Sequence, residues 1–181
     1  MLVVAGIPRC GTTYVANAVG WPHERGVIKT HGLAPPESLG DPMAGRVNEA
    51  LARGGKALFI FGDPLHAVMS TLKNQFNKVH FRNCGCAFPR DLLEKDWLHY
   101  EQMFDSWMKP QPFEVLRVRY ETMPEHFGAF KEFLGFMPSF APWRARAACP
   151  FPNMPREKLL KVYGRLADKI AKAPDVSLEG I

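Results

Sequence analysis

The sequence predicts an α/β protein of one domain, three layers deep (α/β/α), around a mostly parallel central sheet. Three observations predict it. Short apolar runs of strand length alternate with longer segments whose apolar residues recur at helical spacing. One of those runs, Ala57 to Phe61, is apolar throughout, as expected of a parallel strand covered on both faces. A glycine loop, Gly6 to Thr13 (GIPRCGTT), separates the first apolar run from the first helical segment. A chain of 181 residues fits one domain with a substantial core, and no composition shift, repeat or low-complexity tract marks a boundary.

The elements follow in order. Leu2 to Ala5 reads as a short buried strand. After the glycine loop, a helix runs from about Thr12 to Val19 and stops at Gly20. Gly26 to His31 (GVIKTH) reads as the second strand. Met43, Val47, Ala50 and Leu51 mark a helix from Met43 to Arg53 that ends at Gly54 and Gly55. The third strand, Ala57 to Phe61, leads to Asp63 as a helix cap with Pro64 at the first helical position. Leu65, Val68, Met69, Leu72 and Phe76 form the apolar side of that helix, and His66, Ser70, Lys73, Asn74 and Asn77 its polar side.

Phe81 to Arg90 reads as a loop. Trp97, Tyr100, Phe104, Trp107 and Met108 mark a helix ended by Pro110, and Phe113 to Tyr120 (FEVLRVRY) a fourth strand. A helix is expected from Pro124 to Leu134, stopped by Gly135. The proline-rich stretch from Pro138 to Pro155 reads as irregular. A last helix, from Pro155 to about Ala171, carries Leu159, Val162, Tyr163, Leu166 and Ile170 on one side, and the tail beyond it reads as frayed.

Composition narrows the function. The formal net charge of +5 favours an anionic ligand or partner without choosing among nucleotide, nucleic acid and acidic surface. No nucleic-acid-binding module is recognisable, so none is expected. The N-terminal apolar run is too short for a signal peptide, and no stretch reaches the ~18 apolar residues of a membrane span, so a cytoplasmic protein with no membrane partner is expected. Cys10, Cys84, Cys86 and Cys149 give one C-x-C and no repeated C-x-x-C frame, which leaves reduced thiols as the expectation and no metal site.

Three loops at the carboxyl ends of the strands hold the candidate chemistry, since ligands of such sheets sit there. Gly6 to Thr13 has the spacing G-x-x-x-x-G of a phosphate loop, with backbone N–H groups at a helix start. The lysine that follows the second glycine in nucleoside-triphosphate enzymes is replaced by Thr12, and Arg9 lies inside the loop. The loop therefore suits an anion other than an ordinary triphosphate. In the second segment, Lys29 and His31 share one face of a strand, with Thr30 on the other. A neutral imidazole there can take a proton from an attacking hydroxyl, and a neighbouring Lys⁺ favours the neutral ring. In the third, Ser70 lies on the polar side of the helix, and its spacing suits a second phosphate and an ordinary solvated helix face equally.

Taken together, these segments resemble the PAPS-dependent sulfotransferase family, enzymes that use 3′-phosphoadenosine 5′-phosphosulfate (PAPS). Pro8-Arg9-Cys10-Gly11-Thr12-Thr13 is similar to the family's P-[KR]-S-G-T-T, with Cys10 for Ser. Lys29-Thr30-His31 reproduces its K-T-H. Asp63-Pro64 to Ser70 keeps the proline and serine of its R-x-P-x-D-x-x-x-S. Tyr120-Glu121-Thr122-Met123 and Phe133-Leu134-Gly135 resemble its Y-E-D-M and F-L-G. The resemblance spans residues 2 to 135. It implies a fold of the P-loop nucleotide-binding type and transfer of a sulfuryl group from PAPS to a hydroxyl or amine of a small-molecule or glycan acceptor, without a metal. It implies Pro8, Arg9, Cys10, Gly11, Thr12, Thr13 and Ser70 as cofactor-binding residues, Ser70 on the 3′-phosphate. His31 is implied as general base, with Lys29 and Arg9 stabilising negative charge. The acceptor is expected among the loops Ala34 to Pro42 and Phe76 to Arg90.

The departures from that pattern are specific. Gly62 stands where the family carries an arginine for the 3′-phosphate, His66 where it carries Asp, and its late R-K-G has no match, with Arg144 or Arg146 as possible substitutes. Two other readings therefore stay open. One is a non-catalytic relative that binds a nucleotide or other anion. The other is a magnesium-dependent phosphotransferase in which Asp63 ends a strand beside the metal.

Overall fold

The computed structural model of the chain describes residues 1–20, 26–37, 41–73, 81, 84, 91–144 and 153–180. Phe76, Asn74, Asn77, Cys86, Cys149, Arg146, most of the segment 76–90 and part of the loop 34–42 lie outside the described residues.

The fold is α/β, with one five-stranded sheet and six α-helices among the described residues. The chain runs β1 (Leu2–Gly6), α1 (Thr12–Ala18), β2 (Val27–Thr30), α2 (Ala44–Ala52), β3 (Lys56–Phe61), α3 (Pro64–Lys73), α4 (Tyr100–Met108) and β4 (Val115–Arg119). A 3₁₀ turn (Met123–His126) then leads into α5 (Phe127–Leu134), α6 (Arg156–Lys172) and β5 (Val176–Glu179). The strand order is β2-β1-β3-β4-β5. The first four strands are parallel, and β5 is antiparallel to β4.

The period-two alternation of strand side chains builds two cores. Val3, Ala5, Ala57, Phe59, Phe61 and Val115 face one way and meet apolar residues of α2, α3, α4 and α6. Val4, Leu58, Ile60, Leu116 and Val118 face the other way and meet α1 and α5 through Val15, Ala16, Phe130 and Phe133. Helices therefore cover both faces, and β3, apolar in both directions, is buried from Ala57 to Phe61.

Helix starts and stops follow the local chemistry. The Asp63 carboxylate accepts the amides of Leu65 (2.8 Å) and His66 (3.3 Å), which caps α3 as expected of Asp before Pro64. Gly135 ends α5 with φ 78°, a left-handed stop. The expected single helix from Pro124 is instead a 3₁₀ turn followed by α5.

The C-terminal tail corrects the sequence reading. It is not frayed but forms β5, in register with β4 from Val118↔Val176 to Val115↔Glu179. Its anchor is Arg117, a 4 % exposed guanidinium in the middle of β4. Arg117 donates to the carbonyls of Trp107 (2.7 Å) and Lys109 (2.9 Å) at the end of α4 and pairs with the Glu179 carboxylate. Arg119 likewise donates to the carbonyl of Ala173 at 2.6 Å, just past α6. Cations at helix C-termini satisfy the last carbonyls and oppose the helix dipole. The two arginines of FEVLRVRY thus fasten two helix ends and the tail to the sheet.

A candidate anion site at the sheet's switch point

The strand order places the site. From β1 the chain leaves to β2 on one side, and β3 lies on the other, so the connections diverge between the carboxyl ends of β1 and β3. Such a divergence opens a crevice where ligands of open α/β sheets bind. The glycine loop, the end of β2 and the start of α3 all border it.

Local sterics shape the glycine loop. A Cβ on Gly6 would lie 2.5 Å from the carbonyl oxygen of Ile60 on β3 and 2.6 Å from the Thr12 hydroxyl, so only glycine lets β1 run this close to α1. The Cys10 amide donates to the carbonyl of Ile7 (3.1 Å) and closes a turn. Arg9 has φ 68° and Gly11 φ 81°, both left-handed, the second natural for glycine alone. The Tyr120 ring lies against Gly11, where any Cβ would collide with it.

The loop and the end of β2 enclose a cavity of about 210 Å³ lined by Arg9, Gly11, Thr12, Thr13, Lys29 and His31. The structure thus brings together residues drawn from the first two sequence segments. Lys29 and His31 reach the same cavity, while the Thr30 hydroxyl turns away to the Asp41 carboxylate at 2.6 Å. Lys29 Nζ donates to Thr13 Oγ1 at 2.7 Å. Burial lowers the Lys29 pKa from its ordinary value, so the charged ammonium is held in a partly desolvated place. An anion in the cavity would offset that penalty.

His31 is 6 % exposed, and its Nδ1 lies 2.6 Å from the Gly6 carbonyl oxygen. A carbonyl only accepts, so Nδ1 carries a proton and the neutral ring has its lone pair on Nε2. Thr12 is 2 % exposed, and its hydroxyl has no hydrogen-bond partner among the described residues. The hydroxyl lies beside Gly6, away from solvent, and left this way it carries a desolvation cost.

Arg9 and Ser70 bridge the crevice. Arg9 Nε donates to Ser70 Oγ at 2.8 Å, which ties the glycine loop to α3 across 61 positions of sequence. Pro8 and Cys10 are buried; the Cys10 thiol is fully inside the core and the Cys10 amide is used in the turn, so neither side chain lines the cavity. Ser70 meets Arg9 rather than lining the cavity itself. Arg144 is exposed at the end of a described segment.

Two groups were not foreseen from sequence as parts of the crevice. A Cβ on Gly62 would lie 2.7 and 2.8 Å from the two carboxylate oxygens of Glu121, and the Asp63 amide donates to Glu121 Oε1 at 3.1 Å. Tyr120, next to Glu121, forms the wall behind Gly11. Both lie beyond the end of β4, beside the loop that follows β3, so only the sheet brings them near Gly62 and Gly11.

Compared with protein-family models, with curated proteins and with solved structures, the chain matches none. No described helix is long and apolar enough to cross a membrane. Among the described residues no group of three His, Cys, Asp or Glu side chains is placed to hold a metal ion.

Proposed function

We propose that the protein is a transferase that binds a phosphosulfate-type anion in the cavity beside Gly6–Thr13, a P-loop variant, and moves its sulfuryl group to a hydroxyl or amine with His31 as general base. The observation that carries this reading is the cavity itself. A cation (Lys29), an imidazole with its Nδ1 on the Gly6 carbonyl (His31) and the two residues that open α1 (Thr12 and Thr13) all line one space of about 210 Å³. That volume suits an anionic headgroup, and the body of a larger ligand would extend outside it.

The donor implied by the resemblance is PAPS, and its two ends fare differently. The phosphosulfate end suits the cavity, where Arg9, Lys29 and the Thr13 hydroxyl would hold it. A bound phosphosulfate supplies a sulfuryl group already activated by a good leaving oxygen. The 3′-phosphate end would meet Ser70, already bonded to Arg9, and at Gly62 the Glu121 carboxylate where the family has an arginine.

Each residue then has a defined role. Arg9 and Lys29 hold negative charge on the reacting group and on the departing oxygen. The Thr13 hydroxyl, which accepts from Lys29, is left with its own O–H to donate to an anion oxygen. His31 keeps its proton on Nδ1 through the Gly6 carbonyl and takes the acceptor's proton on Nε2. Ser70 steadies Arg9. The deciding experiment is turnover: a panel of hydroxyl and amine acceptors with a radiolabelled phosphosulfate donor, wild type against His31→Ala. Label transfer that vanishes in the variant supports the reading. Equal transfer by both removes His31 from the mechanism.

A second reading, a binding protein without turnover, is favoured by one observation, the carboxylate of Glu121 beside Gly62. Saturable anion binding with no transfer to any acceptor would select it. The magnesium-dependent phosphotransferase draws less support, because the Asp63 carboxylate is used in capping α3 and lies 3.9 Å from His66 Nε2.

A further inference from the structure

We infer that Asp41 is a positioning residue for His31, acting through Thr30 and Gly32 from the side of β2 that faces away from the cavity. Its catalytic consequence rests on the proposed role of His31 as general base, whereas the positioning is read from the imidazole ring itself.

His31 stands where the sheet stops holding the chain. β2 lies at the edge of the sheet, and its register with β1 ends at Ala5↔Thr30, one residue before His31. A buried polar network takes over from the ladder there. The Thr30 hydroxyl donates to Asp41 Oδ2 at 2.6 Å and accepts the Gly32 amide at 2.9 Å. The Gly32 carbonyl accepts Trp107 Nε1–H at 3.0 Å. Both chain neighbours of His31 are thereby fixed, and Thr30, Asp41 and Trp107 are all buried. Position 32 admits nothing larger than glycine, because a Cβ there would collide with the Asp41 carboxylate. Asp41 is itself tied to the start of α2, where Oδ1 accepts the Met43 amide at 2.9 Å and the Asp41 carbonyl accepts the Ala44 amide at 3.1 Å. One carboxylate thus couples the start of α2 to the end of β2.

On the cavity side, His31 Nδ1 meets the Gly6 carbonyl at 2.6 Å. That bond lasts only while the His31 backbone keeps its place against β1. An imidazole freed from Gly6 can carry its proton on either nitrogen. A ring protonated on Nε2 has lost the lone pair that the proposed transfer needs. The network behind β2 therefore decides how fully the ring is held in its basic form.

The test is ¹⁵N spectroscopy of the ring nitrogens in the full chain, with the His31 signals assigned by their loss in His31→Ala. Wild type is compared with Thr30→Val, Thr30→Ser and Asp41→Asn. Thr30→Val keeps the shape and leaves Asp41 its contacts with α2, but it removes the hydroxyl; Thr30→Ser keeps the hydroxyl. Asp41→Asn leaves one acceptor oxygen for two donors, Thr30 and the Met43 amide. Wild type is expected to show one tautomer, protonated on Nδ1. Thr30→Val and Asp41→Asn should show a mixture of the two, and Thr30→Ser the wild-type pattern. If one disruptive variant does not fold, the other carries the test. In transfer assays with a phosphosulfate donor, the disruptive variants should lose up to about 100-fold in kcat, the scale of a misplaced catalytic group, with the donor KM little changed. A ring pattern unchanged in the disruptive variants, altered as much by Thr30→Ser as by Thr30→Val, or already mixed in wild type would overturn the inference and confine Asp41 to the start of α2. Absence of transfer in wild type would count against the proposed function and leave the ring pattern to decide the positioning.

Discussion

His31 hydrogen-bonds through Nδ1 to the carbonyl of Gly6, 2.6 Å away and 25 positions earlier in the chain. The bond joins the residue that follows β2 to the last residue of β1, and it fixes which ring nitrogen is basic. It also explains why β1 and β2 must be neighbours for the site to exist: their register brings Ala5 opposite Thr30, one residue short of the pair.

The first prediction concerns that ring. On the proposed function, His31→Ala removes the general base and should lower transfer about 10²–10⁴-fold, the usual contribution of a positioned general base. Nucleotide affinity should change little, because Arg9, Lys29 and Thr13 remain. His31→Asn can restore a donor toward Gly6 but not the lone pair of an imidazole, so it should be as inactive as Ala while keeping the fold. Single-turnover transfer rates beside calorimetric affinities separate the two effects. A loss of affinity that matches the loss of rate would assign His31 to binding.

Lys29 gives a prediction about pH. Burial lowers its pKa in the free protein, and a bound anion favours the charged form, so the pKa rises on binding. The bound state then holds more protons wherever pH lies between the two values. Affinity should be greatest below the free-state pKa and fall as pH rises through it, with proton uptake on binding inside that window. Titrations in two buffers of different ionisation enthalpy measure the uptake. Lys29→Met should abolish it, and proton release in the wild type would contradict this account.

Thr12 gives a prediction about stability. Its hydroxyl is buried without a partner among the described residues, so Thr12→Val, nearly the same shape, removes an orphan polar group. The free protein should be as stable as wild type or more so, by up to about 1–3 kcal/mol of relieved desolvation. Anion affinity should change little, because the hydroxyl lies against Gly6 and not in the cavity. A variant that is less stable in denaturant unfolding would show that the hydroxyl has a partner.

Much of the fold was legible because the strands are short and strongly apolar. Ala57 to Phe61 announces a two-faced strand, and Asp63-Pro64 announces a helix start, both from local physics. Lys29 and His31 could be placed on one face by strand periodicity, and they reach one cavity. The tail was not legible, because Val176–Glu179 is brief and half exposed, and its partner Arg117 is 62 positions before Glu179. Glu121 was equally hidden. Its place beside Gly62 depends on β3 and β4 being neighbours, which no local pattern states. Cys10 shows the opposite limit: the loop's glycine spacing was visible, but not that the thiol turns into the core.

The last prediction tests the tail. Arg117 is buried, and Glu179, one-third exposed, neutralises it from β5. Removing one partner of such a pair leaves a charge in low dielectric, which costs ~3–5 kcal/mol when both are fully buried. Solvent at Glu179 and the two carbonyls that remain on Arg117 reduce this, so Glu179→Ala should cost about 1–3 kcal/mol. Glu179→Gln keeps an acceptor for the guanidinium and should cost less than Ala. Arg117→Met removes the charge but strands the carbonyls of Trp107 and Lys109, so it should destabilise even when combined with Glu179→Ala. Denaturant unfolding of the two single variants and the double gives the coupling between them. A coupling near zero would mean that β5 is held by its ladder alone and that Arg117 serves only the end of α4.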